Sequence, residues 1–463
     1  MSTEGTTIES QIETPETKAA TKSSTSKKTV AEKPTTSAPA PIVAQKPTNS
    51  QKVRFVIVSM GQGGARIGSN LVSILPNKPI MIAINTSEQD LKQVNVPEEY
   101  KFKIGGENAD GAGKNRNRAK AYFKNFSAVN VYNNSNNFDA LHAFIGYYEE
   151  VLFHPTEQTI IITCFSSDGG TGSGLGPMFT ASLANYMNQV KSFQIGKTEF
   201  QIDDLMNEVP RPVVIGLTPR CAINAGSTNL QNTIENFMDI QKFIDRGIGN
   251  FFIADNNLPS NVSYRDTDEM YQIINARICA PFVKFFGVEM NSDLKCMDLQ
   301  DKINTLRIPG CSVFSSVTKE NQFAYVIPKG QSVARTVMML RHDVEDLSVE
   351  ETNAKNMLLA NDIISVDTTP VFFEVAKSGI VADKVAQDLI NASMIGFFGF
   401  KSLNAIVEDL RDNLHRIEVA NDKKANVIQE HSTGFSSIEE DSARLNARFG
   451  SKVMDQNDLM DLV

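Results

Sequence analysis

The sequence predicts an α/β protein: a Rossmann-like parallel-sheet domain, a central helix, a smaller α+β C-terminal domain and flexible termini. Three observations predict it. Apolar runs of strand length recur at 54–58, 80–84, 159–165, 212–217 and 250–254. They are continuous rather than alternating, as in strands buried on both faces. Helix-like segments separate them at 138–153, 175–190 and 228–244, and strand alternating with helix means a parallel sheet covered on both sides. Glycine-rich strings then follow two of the runs, Gly61-Gln62-Gly63-Gly64 and Gly169-Gly170-Thr171-Gly172-Ser173-Gly174. Right-handed crossovers put every loop after a strand on one edge of the sheet, so the strings converge on one site by topology alone.

Taken in order, residues 1–50 are Thr, Ser, Pro, Ala, Lys and Glu with few large apolar side chains. Such a segment cannot offset its ordering entropy and reads as a disordered arm, a spacer or a partner-binding tail. A first domain spans 51–265, opening with the strand at Val53 and a helix through Ile67, Leu71 and Ile74. A central helix and linker occupy 266–290, through Met270, Ile273, Ile274 and Ile278, with Pro281 ending or kinking the helix. The second domain, 291–400, carries strand-like runs at 311–317, 323–327 and 370–375. A C-terminal helix at 401–431 places Leu403, Ile406, Leu410, Leu414 and Ile417 on one face. A flexible acidic tail, 432–463, includes Glu439-Glu440-Asp441 and Asp455, Asp458 and Asp461.

A net charge of −9 over 463 residues argues against a nucleic-acid-binding surface covering the whole protein. No apolar run reaches the length of about 18 residues that a membrane span needs, and the N-terminus lacks the apolar core of a signal peptide. Cys164, Cys221, Cys279, Cys296 and Cys311 are scattered singly and read as reduced thiols of a cytoplasmic protein. The histidines are equally scattered, so no metal site is expected from protein ligands alone.

The string at 169–174 has the makings of a phosphate cradle. Glycines let backbone approach an anion, the next helix offers unpaired N–H groups and a positive dipole end, and Thr171 and Ser173 add hydroxyls. It is not a P-loop, because no Gly-Lys-Ser/Thr follows, and not a dinucleotide fingerprint, which belongs at the first strand. A tight strand-to-helix turn is the plain alternative. A basic cluster, Lys114, Arg116, Arg118 and Lys120, reads as a solvated helix face rather than a nucleic-acid patch.

The 169–174 string resembles the signature loop of the tubulin/FtsZ superfamily of polymerising GTPases, and further motifs follow in that family's order over about 53–320. The resemblance implies GTP and GDP as ligands, with Mg²⁺ carried on the phosphates. It implies contacts from Gly61, Gln62, Gly63 and Arg66, although Gly61-x-Gly63 alone is also a generic Rossmann turn. Asn85 belongs to a polar loop near the phosphates, where Thr86 or Ser87 also suits a helix N-cap. Gly111, Ala112 and Gly113 correspond to the loop that senses the γ-phosphate; a surface loop is the alternative. Gly169, Gly170, Thr171, Gly172, Ser173 and Gly174 hold the phosphates. The ribose loop departs from the family pattern after Leu217-Thr218-Pro219, and Asn224 is its candidate. Asn256 stands where the family recognises guanine, Tyr264 where it stacks an aromatic on the purine, and Asp268 one helical turn further along. Asp298 and Asp301 match the family's remote acids, which enter the next subunit's site in a head-to-tail filament and position the attacking water; an acid-rich helix start is the alternative. The spacing from Asp268 implies a local insertion near 282–291.

The mixture of motifs is closest to the plasmid and phage branch, TubZ- or PhuZ-like proteins. That implies a cytoskeletal GTPase that assembles with itself and positions or segregates plasmid or phage DNA in a bacterial cell, with the DNA complex or a DNA-binding adaptor as partner. A division-ring protein and a nucleotide-binding polymer or adaptor without turnover remain the alternatives. A dinucleotide oxidoreductase is disfavoured, since it leaves the 169–174 loop, Asp298 and Asp301 without a role.

Overall fold

A computed structural model describes residues 53–105, 110–124, 140–202, 209–222, 224–258, 262–286, 297–316, 325–340, 347–365, 371–374 and 393–423. The expected arm at 1–50 and the acidic tail at 432–463 lie outside these residues.

The first half runs β1 (Val53–Met60), α1 (Gly61–Ile74), β2 (Ile80–Asn85), α2 (Glu88–Gln93), β3 (Lys101–Lys103), α3 (Arg116–Lys124), α4 (Ala140–Leu152), β4 (Gln158–Phe165) and α5 (Thr171–Gln189). A hairpin of β5 (Ser192–Ile195) and β6 (Thr198–Gln201) follows, then β7 (Val213–Arg220), α6 (Ser227–Ile244) and β8 (Asn250–Asp255). The second half contains α7 (Thr267–Phe286), α8 (Leu299–Leu306), β9 (Gly310–Ser316), β10 (Ser332–Val333), β11 (Arg335–Leu340), α9 (Leu347–Ala360), β12 (Ile364–Ser365), β13 (Val371–Glu374) and β14 (Met394–Phe400), and ends in a helix, α10, over 404–423.

Ten strands form one sheet in the order β13-β11-β14-β9-β8-β7-β4-β1-β2-β3. Every pair from β3 to β9 is parallel, while β14 runs antiparallel to both β9 and β11. The parallel part is the α/β architecture that the continuous apolar runs predict. Alternate residues of β1 serve opposite layers, as the pleat demands. Val56, Val58 and Met60 pack with Phe144, Phe179 and Phe237 from α4, α5 and α6. Phe55 and Ile57 pack with Leu71, Ile278 and Ile303 from α1, α7 and α8. Neither face of these strands meets water, so their sequences show no polar alternation.

Among the described residues, two helices contain an internal proline. Pro281 lies inside α7, which continues to Phe286, so it neither ends the helix nor marks its boundary. A helix-interior proline withholds a backbone N–H and distorts the preceding turn; the hydroxyl of Tyr325 donates to the Ile278 carbonyl there at 2.8 Å. Pro177 does the same in α5. The carbonyl four residues before it belongs to Ser173, and it accepts instead from Asn236 Nδ2 at 2.9 Å and Arg116 Nη2 at 3.4 Å.

At the second half's joint, Asn250, Phe251 and Phe252 of β8 pair with Gly310, Cys311 and Ser312 of β9, so the sheet crosses from one half to the other without a break. On α10, Ile406, Val407 and Leu410 are buried, with Leu414 and Ile417 packed at the margin of the core. Among the described residues no helix is long and apolar enough to cross a membrane.

Candidate functional site

The carboxyl ends of β1, β2, β3, β4, β7 and β8 open onto one cleft of about 540 Å³. It is lined by Gly61, Gln62, Gly63 and Arg66 after β1, by Gly111, Ala112 and Gly113 after β3, and by Gly169, Gly170, Thr171 and Gly172 after β4, with Asn256 after β8. These residues, scattered over nearly 200 positions of sequence, meet because parallel strands deliver all their following loops to the same edge.

The chemistry of the cleft follows from its helix starts. α1 and α5 both begin at its wall. Their N-caps, Met60 and Gly170, make no side-chain capping bond, and neither helix has an acid in its first turn. First-turn N–H groups are therefore left for a ligand, and two positive dipole ends face the same space. By contrast α2 and α8 are capped from within, by Ser87 and Asp298. The two open helix starts also touch: Gly61 has φ +71°, and a Cβ there would stand 3.0 Å from the Gly172 nitrogen. Only glycine meets both demands. The cradle would hold an anionic group approached by backbone, and a phosphate fits it.

Three predicted residues stand behind this surface. Asn85 is buried and holds the loop after β2 in shape: its Oδ1 accepts from the backbone N–H of Thr86 at 2.8 Å and of Ser87 at 3.3 Å, and from Thr171 Oγ1 at 3.4 Å. Thr86 Oγ1 and Thr171 Oγ1 lie 2.7 Å apart, tying that loop to α5. Ser87 is the N-cap of α2, so the capping alternative describes it correctly. Ser173 is buried, its hydroxyl donating to the Asn232 carbonyl at 3.1 Å and accepting from Arg116 Nε at 3.2 Å. At Gly174 a Cβ would run into the Arg116 carbonyl. These two build the start of α5 and do not line the cleft.

Asn224, Tyr264 and Asp268 are exposed and are not brought to the cleft wall. The aromatic that does line it is Tyr271, and Asn275 lines it one turn further along α7. The guanidinium of Arg66 lies 4.6 Å from the Tyr271 ring centroid, a cation–π contact across the cleft. Tyr271 and Asn275 were not among the expected site residues; their available signal was the four-residue spacing, which puts both on one helix face. Ser166, Asp168, Asp110, Lys114, Ser87, Asp90, Pro219 and Asn229 also line the cleft, none of them among the expected ligand contacts. Gly106 to Ala109, in the loop after β3, lie outside the described residues.

The basic cluster is not a solvated face. Arg116 is 4% exposed and donates to Glu235 at 2.8 Å and Asp239 at 2.6 Å on α6. Lys120 also pairs with Asp239, and Lys114 lines the cleft. Arg118 keeps to the surface against Tyr122. Burial pushes the Asp239 carboxyl upward, but hydrogen bonds from Lys120, Arg116 and Lys242 outweigh it and hold the group below the usual carboxylate range.

Asp298 and Asp301 sit elsewhere. Both are exposed at the start of α8, whose other end is fastened to the amino-terminal edge of the sheet. There Asn250 donates to the Leu306 carbonyl at 3.0 Å, and Arg307 to the Arg211 carbonyl at 3.1 Å. Neither acid lines the cleft, and the ammonium of Lys302, next to Asp301, lies 6.0 Å from the ring of Phe285, at the end of α7 remote from the cleft-lining Tyr271 and Asn275, so the acids belong to the opposite edge. Asp298 is the N-cap of α8, accepting from the Asp301 N–H at 2.7 Å.

No family model and no curated protein sequence matches the chain. Solved structures do. The C-terminally truncated TubZ of Clostridium botulinum phage c-st superposes with a TM-score of 0.52 at 14% identity, covering 80% of this chain and 98% of that one. TubZ of Bacillus thuringiensis serovar israelensis, in a GTPγS-form protofilament, gives 0.54 at 14% identity over 81% of this chain and 95% of that one. A two-stranded filament model of TubZ-Bt gives 0.55 at 15% identity over 82% and 93%. The ten-stranded sheet, the strand-end cleft and these superpositions agree: the chain has the fold of the tubulin/FtsZ superfamily, with TubZ structures among its neighbours.

Proposed function

We propose that the chain binds GTP in the strand-end cleft, polymerises head to tail and hydrolyses the nucleotide between subunits. The observation that carries this reading is the separation of two half-sites: a cleft with two uncapped helix starts on one edge of the sheet, and exposed Asp298 and Asp301 on the other. A subunit cannot bring its own acids to its own cleft, but stacking by translation brings one subunit's acids to the next one's cleft. A heterologous contact of that kind does not close and grows into a filament. That the neighbouring TubZ structures include a GTPγS-form protofilament and a two-stranded filament supports the same reading.

In it, the first-turn N–H groups of α1 and α5 hold the phosphates, with Gly111, Ala112 and Gly113 at the terminal one. Asn256, Tyr271 and Asn275 form the base end, the asparagines offering both donor and acceptor to the guanine edge. The neighbour's Asp298 and Asp301 orient a water and take its proton as its oxygen bonds to the γ-phosphorus and the bond to the bridging oxygen breaks. Asp90, Asp110 and Asp168 line the cleft without gathering into a metal site of their own among the described residues, so a divalent cation would arrive on the phosphates. Mg²⁺ characteristically uses one or two carboxylates together with the phosphates, and there it would neutralise developing charge.

The test is light scattering with GTP, GDP and a slowly hydrolysed GTP analogue, alongside phosphate release. Scattering that ignores nucleotide would sink the reading. One observation favours a second reading: capping α8 is already a structural role for Asp298, and a polymer without turnover would need no more. Assembly with GTP but no phosphate release would establish it. The finer assignment, positioning plasmid or phage DNA, is supported by the likeness to TubZ and tested by cosedimentation of filaments with DNA, with and without an adaptor.

A further inference from the structure

We infer that a buried polar seam on α6, centred on Asn232, fastens the 110–115 loop to the glycine loop and so sets how strongly the cleft prefers a nucleoside triphosphate over a diphosphate. The inference rests on the nucleotide reading proposed above.

Asn232, Asn236 and Asp239 recur at helical three- and four-residue spacing and are all buried, with Glu235 beside them. A buried polar stripe persists where its groups find partners, and these partners are the walls of the cleft. Asn232 Nδ2 faces three carbonyl oxygens: Lys114 at 2.9 Å, Asp168 at 3.1 Å and Gly169 at 3.4 Å. The first belongs to the loop after β3 and the other two to the loop after β4. One side chain therefore bridges the two loops by hydrogen bonds, where Gly170 otherwise only packs against Ala112 and Lys114. Asn236 takes the Ser173 carbonyl that Pro177 leaves without its helical partner. Arg116, at the start of α3, reaches Ser173 Oγ as well as Glu235 and Asp239, closing the seam from the far side.

The 110–115 loop needs this fastening. Gly111, Gly113 and Lys114 all have positive φ, at 80°, 57° and 57°, and for Lys114 that backbone conformation is unfavourable. A Cβ on Gly113 would meet nothing within 4 Å. Yet the loop lies hard against the glycine loop, where a Cβ on Gly170 would stand 3.0 Å from the Lys114 nitrogen. A diphosphate can be held by α1 and α5 alone. A triphosphate reaches further, and only a loop already held in place binds it without an ordering cost. Asn232 is thus a positioning residue whose loss falls on the triphosphate.

The experiment measures GTP and GDP affinity by calorimetry on the full chain below its assembly concentration, with amide exchange of residues 111–115 in the nucleotide-free protein. Asn232→Ala should lower GTP affinity about tenfold while leaving GDP affinity unchanged, a coupling of ordinary size, and should speed exchange at 111–115. Arg116→Lys, which keeps the charge but not the fork, should move the affinity ratio the same way. Should Asn232→Ala fail to fold, Asn232→Ser carries the same two readouts. An unchanged ratio, or an equal loss of both nucleotides with exchange unaltered, overturns the inference. A wild-type chain that binds neither nucleotide would instead sink the nucleotide reading, while exchange at 111–115 would still decide whether Asn232 fastens the loop.

Discussion

Replacing Asp298 and Asp301 one at a time tests whether the two sheet edges make a single catalytic site. The choice of replacement matters, because Asp298 caps α8 through a 2.7 Å bond from the Asp301 N–H. Alanine there would cost about 0.5–2 kcal/mol of helix stability, and α8 has only eight residues, so a loss of turnover could reflect fraying. Asparagine caps nearly as well as aspartate and removes only the charge and the basicity. Asp298→Asn and Asp301→Asn should therefore fold like the wild type. GTP affinity of the monomer should be unchanged, since neither acid faces its own cleft. Turnover should fall by about 10²–10⁴-fold, the usual cost of losing a positioned base, and filaments should outlive wild-type ones because their GTP is retained. In equal mixtures with wild type, about half of the interfaces present a disabled acid pair, so turnover should drop in proportion. The assay is phosphate release beside sedimentation across protein concentrations. Wild-type turnover from either variant, or turnover independent of protein concentration, would refute the shared site.

Three further outcomes are expected. Thr171→Ala combined with Gly172→Val should abolish nucleotide binding by calorimetry, since a side chain on Gly172 would begin 3.0 Å from the Met60 carbonyl oxygen and from the Ser166 backbone nitrogen and oxygen. Asn256→Ala and Asn275→Ala should each reduce the preference for GTP over ATP in competition binding, by about 1–3 kcal/mol where a buried partner is left unpaired, whereas Tyr271→Ala should weaken both nucleotides alike; a loss of preference from Asp268→Ala would bring the start of α7 to the base as well. Asp239 is held below its usual carboxylate range, so its pairing stabilises the fold above the unfolded value near pH 4 and is lost as pH falls through the folded one. Asp239→Asn should consequently be less stable than wild type to urea at pH 7, and the gap should narrow as the pH falls below the usual carboxylate range.

Whatever was written locally in the chain could be read from it. A strand buried on both faces is a continuous apolar run, and an anion-binding helix start needs glycines, so β1, β4, β7, β8 and their loops stand out. The cleft-lining part of α7 does not: Tyr271 and Asn275 carry no glycine or charge signature, and only the fold turns that helix face toward the cleft. Arg116 misleads for the same reason. Its neighbours in sequence are basic and polar, while the acids that bury it lie 119 and 123 residues away. The strands at 335–340 and 394–400 pair antiparallel, a relation fixed by distant partners rather than by either segment.

The ladder between β8 and β9 has a mechanical meaning. Phe252 stacks on Phe314 with ring centroids 5.0 Å apart and touches Phe398 at 6.0 Å, so backbone and aromatic contacts weld the halves into one plate. Swinging one half about the other would tear both. The motion left to such a plate is sliding of helices across its faces, shear rather than hinge. α5 is the helix placed for it: it starts at the cleft and ends where Arg211 grips the Met187 and Val190 carbonyls, and the carbonyl of that same Arg211 holds Arg307 at the base of α8. A small displacement begun at one end of α5 would be delivered at the far edge to the helix that bears the two acids.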